Sequence, residues 1–153
     1  MIPDKYKGDE RYIVFLNAMT GFHNTVKLFS DLGFHTIIDQ VFEKTHKTLE
    51  ECVELLHDYP VLFVHVKCPI KELRRREKER GDRHVGLAEK LLSVLVPQDN
   101  QYDIVIDTYQ DSIDECTNKI IDVLKYPEKF TAFRTLWSEY SIIYNAQSGE
   151  IPF

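Results

Sequence analysis

The sequence predicts an α/β fold in which a parallel β-sheet is flanked by helices. Three short apolar runs have the length and composition of strands: FHTII at 34–38, VLFVHVK at 61–67 and DIVI at 103–106. They alternate with segments whose apolar residues recur every three or four positions, which is the spacing of a helix face. Strands that alternate with helices of this length form βαβ units, so we expect parallel strands joined by right-handed crossovers.

The first helix is predicted over residues 10–32, with Gly33 as its C-terminal stop. Its apolar stripe consists of Phe15, Ala18, Met19, Phe22, Val26 and Phe29. A second helix is expected to begin at Thr48, because Thr48 and Glu51 form a capping-box signature. The apolar residues that follow it are Leu49, Val53 and Leu56.

After the second strand the pattern predicts a basic helix and then a short helix over 86–96, ended by Pro97. Ser112 and Glu115 form another capping box before the helix that follows the third strand. Pro127 can begin a last helix with one aromatic stripe, which we expect to be buried against the sheet of the same domain. The stripe consists of Phe130, Phe133, Trp137, Tyr140 and Tyr144.

Composition excludes several classes of protein. The chain has 153 residues, 43% of them hydrophobic, which suits one globular core. It has no apolar run of transmembrane length and no signal-peptide pattern, so we expect a cytoplasmic protein without a membrane partner. Its net charge of −6 argues against nucleic acid as a partner. Cys52, Cys68 and Cys116 have no framework spacing, which favours reduced, buried thiols over disulfides or a metal site.

One stretch departs from the general acidity. Between Lys67 and Arg83 there are eight lysines and arginines against four acids. Arg76, Arg80 and Arg83 are spaced to share one helix face, where guanidinium groups can bind phosphate oxygens. The alternative is a solvated face, because Glu72 with Arg76 and Glu79 with Arg83 are i, i+4 ion pairs.

Two predicted strands end in an acid, Asp39 after the first and Asp107 after the third. The carboxyl ends of parallel strands border the ligand crevice, so both acids are expected at a site. Asp39 could orient Mg²⁺ or water beside a phosphate. The alternative for each acid is a loop start or a cap on a backbone N–H group.

A set of short motifs resembles the chloramphenicol phosphotransferase-like family. The motifs are IIDQVF at 37–42, Cys68, Arg76-Glu77, RGDR at 80–83, Gly86, Ala88, Tyr102-Asp103, Asp107-Thr108 and Glu115-Cys116. The resemblance covers about Tyr12 to Leu124 and implies a P-loop kinase-like three-layer fold that moves the γ-phosphate of ATP to a hydroxyl group. It would make Arg80 and Arg83 lid arginines, Arg76 their helper, Asp39 the acid near Mg²⁺, and Asp107-Thr108 part of the adenine-side loop.

The same comparison shows a departure, because the chain contains no GxxxxGK[ST] segment to cradle phosphates. Met1-Ile2-Pro3 resembles the segment just downstream of the family's catalytic Asp, so we expect an incomplete fold that lacks the P-loop and the base. Three interpretations stay open: a truncated reading frame of a small-molecule hydroxyl kinase, a non-catalytic nucleotide-binding or regulatory remnant, and an interaction domain unrelated to kinases.

The expected organisation is a partial kinase-like domain over 1–125, with a lid at about 70–96, and an aromatic amphipathic helix and tail over 126–153. The expected cofactors are ATP and Mg²⁺, and the expected partner is a small molecule with a hydroxyl group. Because the sheet would be incomplete, we also expect marginal stability or self-association.

Overall fold

The computed structural model describes residues 9–43, 47–82, 84–95 and 101–148, with side chains as far as residue 145. The chain divides into two compact units. The first comprises Met1–Tyr59 and Phe133–Phe153, and the second comprises Pro60–Ala132.

Two helices, α1 (Glu10–Asp31) and α2 (Thr48–Leu56), pack against each other in the first unit. Asp9 caps α1, and Gly33 follows its end with φ +79°, a left-handed conformation that glycine adopts without strain. The helix and its glycine stop are therefore confirmed. The fully or nearly fully buried residues of α2 are Thr48, Leu49, Cys52, Val53 and Leu56.

The predicted apolar stripe of α1 is largely exposed. Val26 is buried, but Phe15 and Phe29 remain 42% and 44% exposed. The buried side of α1 carries Tyr12 and His23 instead. A period of three to four residues identified the helix correctly, but it did not identify which face is covered.

The capping box predicted at Thr48 does not form. Lys47 occupies the N-cap position with a left-handed φ of 53°, and its side chain makes no capping hydrogen bond. Thr48 is the first helical residue and is buried. The carboxylate of Glu51 lies 3.0 Å from Nδ1 of His23 on α1, so a long-range partner replaces the local one.

The strand predicted at 34–38 is also wrong. Residues 34–42 have no regular secondary structure, and Ile37 is fully exposed. A strand exists only when a neighbouring strand bonds its backbone groups, and the sheet found in the described residues consists of two strands from the second unit.

That sheet is formed by β1 (Val64–Lys67) and β2 (Ile104–Asp107), which are parallel as predicted. Strand β1 is shorter than predicted, and β2 has the predicted length but lies one residue further along the chain. Their register places Val64 opposite Ile104 and Lys67 opposite Asp107. Two helices lie in the connection between them, α3 (Ile70–Arg80) and α4 (Leu87–Leu92). The α/β class with a parallel sheet and flanking helices is therefore confirmed.

Helix α5 (Ile113–Leu124) begins with the predicted capping box. The Ser112 hydroxyl accepts from the Glu115 amide, and the Glu115 carboxylate accepts from the Ser112 amide at 2.8 Å. A 3₁₀ turn (Pro127–Lys129) then precedes α6 (Ala132–Ser148). Pro127 therefore begins the turn and not the long helix, contrary to the prediction.

The aromatic stripe of the tail is only partly buried. Phe130 and Phe133 are buried, Trp137 and Tyr140 are half-buried, and Tyr144 is exposed. The indole ring of Trp137 stacks on the imidazole ring of His57, with ring centres 4.4 Å apart. This stack joins the C-terminal end of α2 to α6 within the first unit.

The carboxylate of Asp103 connects three backbone segments of the second unit. One oxygen accepts from the amide of Phe63 at 2.9 Å. The other accepts from the amides of Thr131 and Ala132, at 2.8 and 3.0 Å. Asp103 therefore caps the start of α6 and also fixes the chain just before β1.

We expect Asp103→Ala to lower the free energy of unfolding by about 2 to 3 kcal/mol, because three amides lose a charged acceptor. Asp103→Asn keeps one oxygen and is expected to lose less. Urea denaturation measures the free energy of unfolding of both variants. Equal stability of Asp103→Ala and the parent would contradict the role of Asp103 in holding the three amides.

We expect Trp137→Ala to destabilise the chain by less than the roughly 3 to 5 kcal/mol typical of a fully buried aromatic residue, because the indole is half-buried. The lost contact is the stack on His57. Thermal unfolding of Trp137→Ala and His57→Ala, each compared with the parent, tests this. A loss of stability of roughly 3 to 5 kcal/mol in Trp137→Ala would show that the indole is part of a closed core.

Candidate functional site

The basic helix α3 has clear start and stop signals. Pro69, in an extended conformation, precedes it, and Gly81 ends it with φ +68°. Between them the helix carries lysines or arginines at 71, 74, 75, 76, 78 and 80, and glutamates at 72, 77 and 79. No residue of α3 is fully buried, and charged and polar side chains make contacts from this helix to neighbouring segments.

Arg76 connects α3 to the loop after β2. Its Nη2 donates to the backbone carbonyl of Thr108 at 2.7 Å, and its Nη1 donates to the Thr108 hydroxyl at 3.0 Å. Its Nε donates to Glu72 at 2.8 Å. A planar guanidinium can bind a carbonyl and a hydroxyl of one residue in this way, whereas the single ammonium of lysine cannot reproduce the geometry.

The loop after β2 is itself fixed by the sheet. The amide of Thr108 donates to the carbonyl of Lys67 at 3.1 Å, which extends the parallel pairing by one residue. Asp107 accepts from the amides of Tyr109 and Gln110, at 3.0 and 3.3 Å. One carboxylate oxygen of Asp107 is therefore used in a local turn, and the other lies 4.0 Å from Nζ of Lys67.

Glu72 receives hydrogen bonds from two arginines. Arg75 donates to both carboxylate oxygens, at 2.8 and 2.7 Å, and Arg76 donates to one of them. These bonds, from Arg75 first and then Arg76, lower the pKa of Glu72 from 4.5 to about 2. Glu72 therefore stays ionised and holds Arg76 towards Thr108.

Helix α4 is held to α3 by two contacts between the helices. Arg74 donates to both oxygens of Glu89, at distances of 2.6 to 2.9 Å. The carboxylate of Glu77 accepts from the amides of Gly86 and Ala88, at 2.8 and 2.6 Å, and so caps the start of α4. The two helices predicted as the lid therefore form one connected structure.

Arg80 lies one turn beyond Arg76 and is more accessible. Its side chain is 57% exposed and donates to Asp82 at 3.0 Å. An exposed ion pair of this kind is worth little in water, so Arg80 can exchange Asp82 for another anion. Arg83, the third arginine of the predicted face, lies outside the described residues.

The structure thus brings together three of the predicted site residues, Arg76, Asp107 and Thr108, and places Arg80 on the same helix. Asp39 lies in the first unit, in the irregular segment 34–42, and its side chain is exposed. It does not follow a strand, because the predicted strand at 34–38 does not form.

Lys67, Arg74 and Glu89 were not singled out in the sequence, and Glu77 was named there only as part of the Arg76-Glu77 motif, without a role. Lys67 was counted only as part of the basic stretch, although it ends β1 directly opposite Asp107. Glu77, Arg74 and Glu89 act between α3 and α4 over 9 to 15 positions. No local pattern marks contacts of that range, so only the fold reveals them.

No ready-made metal cage is present in the part of the chain that the structure describes, since no group of three or more His, Cys, Asp or Glu side chains could hold an ion there. Mg²⁺ normally binds through one or two carboxylates together with substrate phosphates and water. Among the described helices, none is both long and apolar enough to cross a bilayer.

Comparison with known protein families gives a match that covers most of the chain. The model of the family described as chloramphenicol phosphotransferase-like protein matches residues 5–125. The chain belongs to this family. No curated protein and no solved structure matches it.

Membership of the chloramphenicol phosphotransferase-like family indicates a kinase-like phosphotransferase at the level of the family. It also implies use of a nucleotide and a metal ion, and a small molecule as the acceptor. The matched range includes α3, α4 and the Asp107-Thr108 loop, so the contacts described above lie within the family's part of the chain.

The lowered pKa of Glu72 sets the sign of a pH effect. The folded chain binds this proton less readily than the unfolded chain, so the contribution to stability is present above pH 4.5 and is lost as the pH falls towards about 2. We expect Glu72→Gln to show a shallower loss of stability than the parent over that interval, measured by urea denaturation.

Glu54→Gln is the matched control, because it removes one carboxylate from an exposed position of α2. Equal slopes for Glu72→Gln and Glu54→Gln would contradict the assignment of this acid-dependent stability to Glu72.

Proposed function

We propose that this chain supplies the lid and the adenine-side loop of an ATP-dependent phosphotransferase whose acceptor is a hydroxyl group on a small molecule. The observation that carries the proposal is the contact of Arg76 with Thr108. It joins two segments that the family resemblance assigns to nucleotide binding, and it leaves Arg80 exposed on the same helix.

The proposal gives Arg76 and Arg80 different roles. Arg76 already has three hydrogen bonds within the protein, so it positions α3 and the Thr108 loop. Arg80 pairs with the nearby exposed acid Asp82, and it can turn to phosphate oxygens at little cost. Arg83 would act with Arg80 as the second lid arginine.

Lys67 adds a second accessible cation at the carboxyl end of the sheet. Its side chain is half exposed, and its Nζ lies 4.0 Å from Asp107, which is the outer limit of an ion pair. Ligands of parallel α/β sheets bind at this end of the strands. In the proposed site Lys67 faces the nucleotide, whose phosphates would be its preferred partner.

Magnesium would neutralise phosphate charge in this reaction. The family resemblance would make Asp39 the acid near this ion. The phosphate cradle of a P-loop, with its GxxxxGK[ST] sequence, is not among the 153 residues. The proposed activity therefore needs a phosphate-binding loop that these 153 residues do not contain. We propose that this chain alone binds ATP weakly.

A second candidate function is a non-catalytic binding module of the same family. It is favoured by apolar side chains of the first unit that are exposed, among them Val14, Leu28, Leu32, Phe34 and Ile37. Exposed apolar residues in such numbers are typical of a surface that contacts another molecule.

We expect the chain to bind ATP with a Kd of about 1 mM or weaker, which corresponds to ~4 kcal/mol. Arg80→Ala should weaken binding about tenfold, because a charge-assisted hydrogen bond to phosphate is lost. Lys78→Ala, on the opposite face of α3, is the charge-matched control and should change the Kd by no more than about twofold. Equilibrium dialysis with labelled ATP measures all three.

An equal loss of ATP affinity in Arg80→Ala and Lys78→Ala would show that the affinity depends only on the overall charge of α3. Absence of binding to the parent chain would favour the second candidate.

We further expect no phosphoryl transfer from MgATP to a hydroxyl acceptor by the 153-residue chain, because lysine and the backbone cradle of a P-loop supply much of the phosphate binding. A radiolabel transfer assay over a panel of small alcohols and sugars checks this. Turnover by the purified chain would contradict the proposal that this chain supplies the lid and the adenine-side loop but lacks the phosphate cradle.

A further inference from the structure

A second apolar face runs along α1 beside the face that is buried. Tyr12, His23 and Val26 belong to the buried face. The second face consists of six residues, all of them exposed, whose spacing alternates between three and four positions. We call it the α1 seam, and its residues are Phe15, Ala18, Phe22, Thr25, Phe29 and Leu32. An average spacing of about 3.5 residues is the one with which a helix packs along its length against another helix.

The seam lies mostly in an uncharged part of the helix. Residues 12–26 contain no Asp, Glu, Lys or Arg, although 29% of the chain is charged. Beyond them, Lys27 and Asp31 are paired with each other at 2.8 Å. A helix face that meets only water normally carries charged side chains, and a nucleic acid or an anionic lipid surface would need Lys or Arg there. The seam is therefore suited to an apolar, uncharged partner.

The hydroxyl group of the seam is already bonded within the helix. Oγ1 of Thr25 donates to the backbone carbonyl of Gly21 at 2.8 Å. A partner that covers Thr25 would therefore break no hydrogen bond and would leave no unpaired polar atom. Thr25 can serve in an interface as a small apolar residue.

Gly21 flanks the middle of the seam, where it permits a close approach from outside. Glycine inside a helix is less stable than alanine, so a structural reason for it is expected. Among the described residues, apart from its chain neighbours and the backbone of its own helix, no atom lies within 4 Å of the place where a Cβ would stand. The packing of this chain therefore gives no reason for a glycine at position 21. A second molecule that lies close to the helix would give one.

The sizes of the seam residues alternate, which favours one arrangement of two copies. Phe15, Phe22 and Phe29 alternate with the small Ala18 and Thr25. In a parallel pair of helices each residue would face its own counterpart, so crowded and empty layers would follow each other. An antiparallel pair centred between Phe22 and Thr25 instead places a large residue opposite a small one in its inner layers. The facing pairs are then Phe22 with Thr25, Phe29 with Ala18, and Phe15 with Leu32.

The same antiparallel register gives the glycine a role. It brings Leu28 of one copy, which is 56% exposed, nearly level with Gly21 of the other copy. Because such a pair has a twofold axis, each of these contacts occurs twice. The seam is thus complementary to itself, which is a property that a dimer needs and that an unrelated partner does not.

We propose that the α1 seam is the interface of a homodimer in which two copies of this chain pair antiparallel along α1. The exposed parts of the seam, Val14 and Leu28 amount to on the order of 500 Å² per copy, or roughly 1,000 Å² in the pair. This area is at the low end for specific interfaces, so we expect a weak dimer with a Kd of about 10 µM. ATP has no part in this contact, so its test is independent of the proposed function.

Sedimentation equilibrium of the full chain, from about 1 to about 200 µM, measures the Kd of the dimer. Phe22→Glu places a charge in the middle of the seam of each copy and should raise the Kd about 100-fold or more. Thr20→Glu adds the same charge at an exposed position of α1 outside the seam. This control should change the Kd by no more than about twofold. Circular dichroism verifies that both variants keep their helices.

An exchange of a large and a small residue tests the antiparallel register. Ala18→Phe places two phenylalanines face to face, and Phe29→Ala leaves a gap opposite Ala18, so each should raise the Kd about tenfold. The double variant Ala18→Phe/Phe29→Ala should return the Kd to within about threefold of the parent. Positions 18 and 29 are roughly 16 Å apart along one helix, so this rescue can arise only between two copies.

Three results would overturn the proposal. A monomeric parent over the whole concentration range would mean that the seam contacts another segment of the protein or a different molecule. A dimer that Phe22→Glu leaves unchanged would form through another surface, such as the edge of the two-stranded sheet. Loss of the dimer in both single variants without rescue in the double variant would exclude the antiparallel register.

Discussion

The second unit depends on one interaction, the contact of the Arg76 guanidinium with Thr108. Parallel pairing of β1 and β2 ends with the amide of Thr108 on the carbonyl of Lys67. Arg76 binds the same threonine, so the position of α3 is set by the end of the sheet. No residue of α3 is fully buried, so this contact contributes to the position of the helix. Helix α4 then follows α3 through Arg74, Glu89 and Glu77.

This arrangement explains how a charge-rich helix can keep a fixed position while some of its charges stay accessible to a ligand. Part of the charge is internal, since Glu72 is held ionised by Arg75 and Arg76. Another part stays accessible, at Arg80 and Lys67. The ion pair of Glu72 with Arg76, on which the solvated-face interpretation rested, forms at 2.8 Å, and Arg76 in addition binds Thr108. Glu79 pairs with Arg75. Family membership indicates a kinase-like phosphotransferase at the level of the family.

The sequence predicted those elements whose signals are local. The capping box of Ser112 and Glu115, the glycine after α1 and the two apolar runs that pair as β1 and β2 act within a few residues. It failed where a distant partner decides the outcome: residues 34–38 lack a strand to pair with, and Glu51 contacts His23 instead of capping α2. For the site, the resemblance indicated Arg76, Asp107 and Thr108, and the fold brought them together. Lys67, Glu77 and Glu89 gain their roles from tertiary contacts, which no local pattern in the sequence predicted.

The central claim is that Arg76 holds α3 on the loop after β2, and a double-mutant cycle tests it most directly. Arg76→Ala, Thr108→Ala and the double variant are compared with the parent by urea denaturation. The account predicts a coupling free energy of about 0.5 kcal/mol or more, because the guanidinium and the hydroxyl lose a shared hydrogen bond. Additivity of the two single changes within about 0.3 kcal/mol would contradict the hydroxyl part of the contact. Because the carbonyl of Thr108 remains in Thr108→Ala, parent-like stability of Arg76→Ala would contradict the claim as a whole.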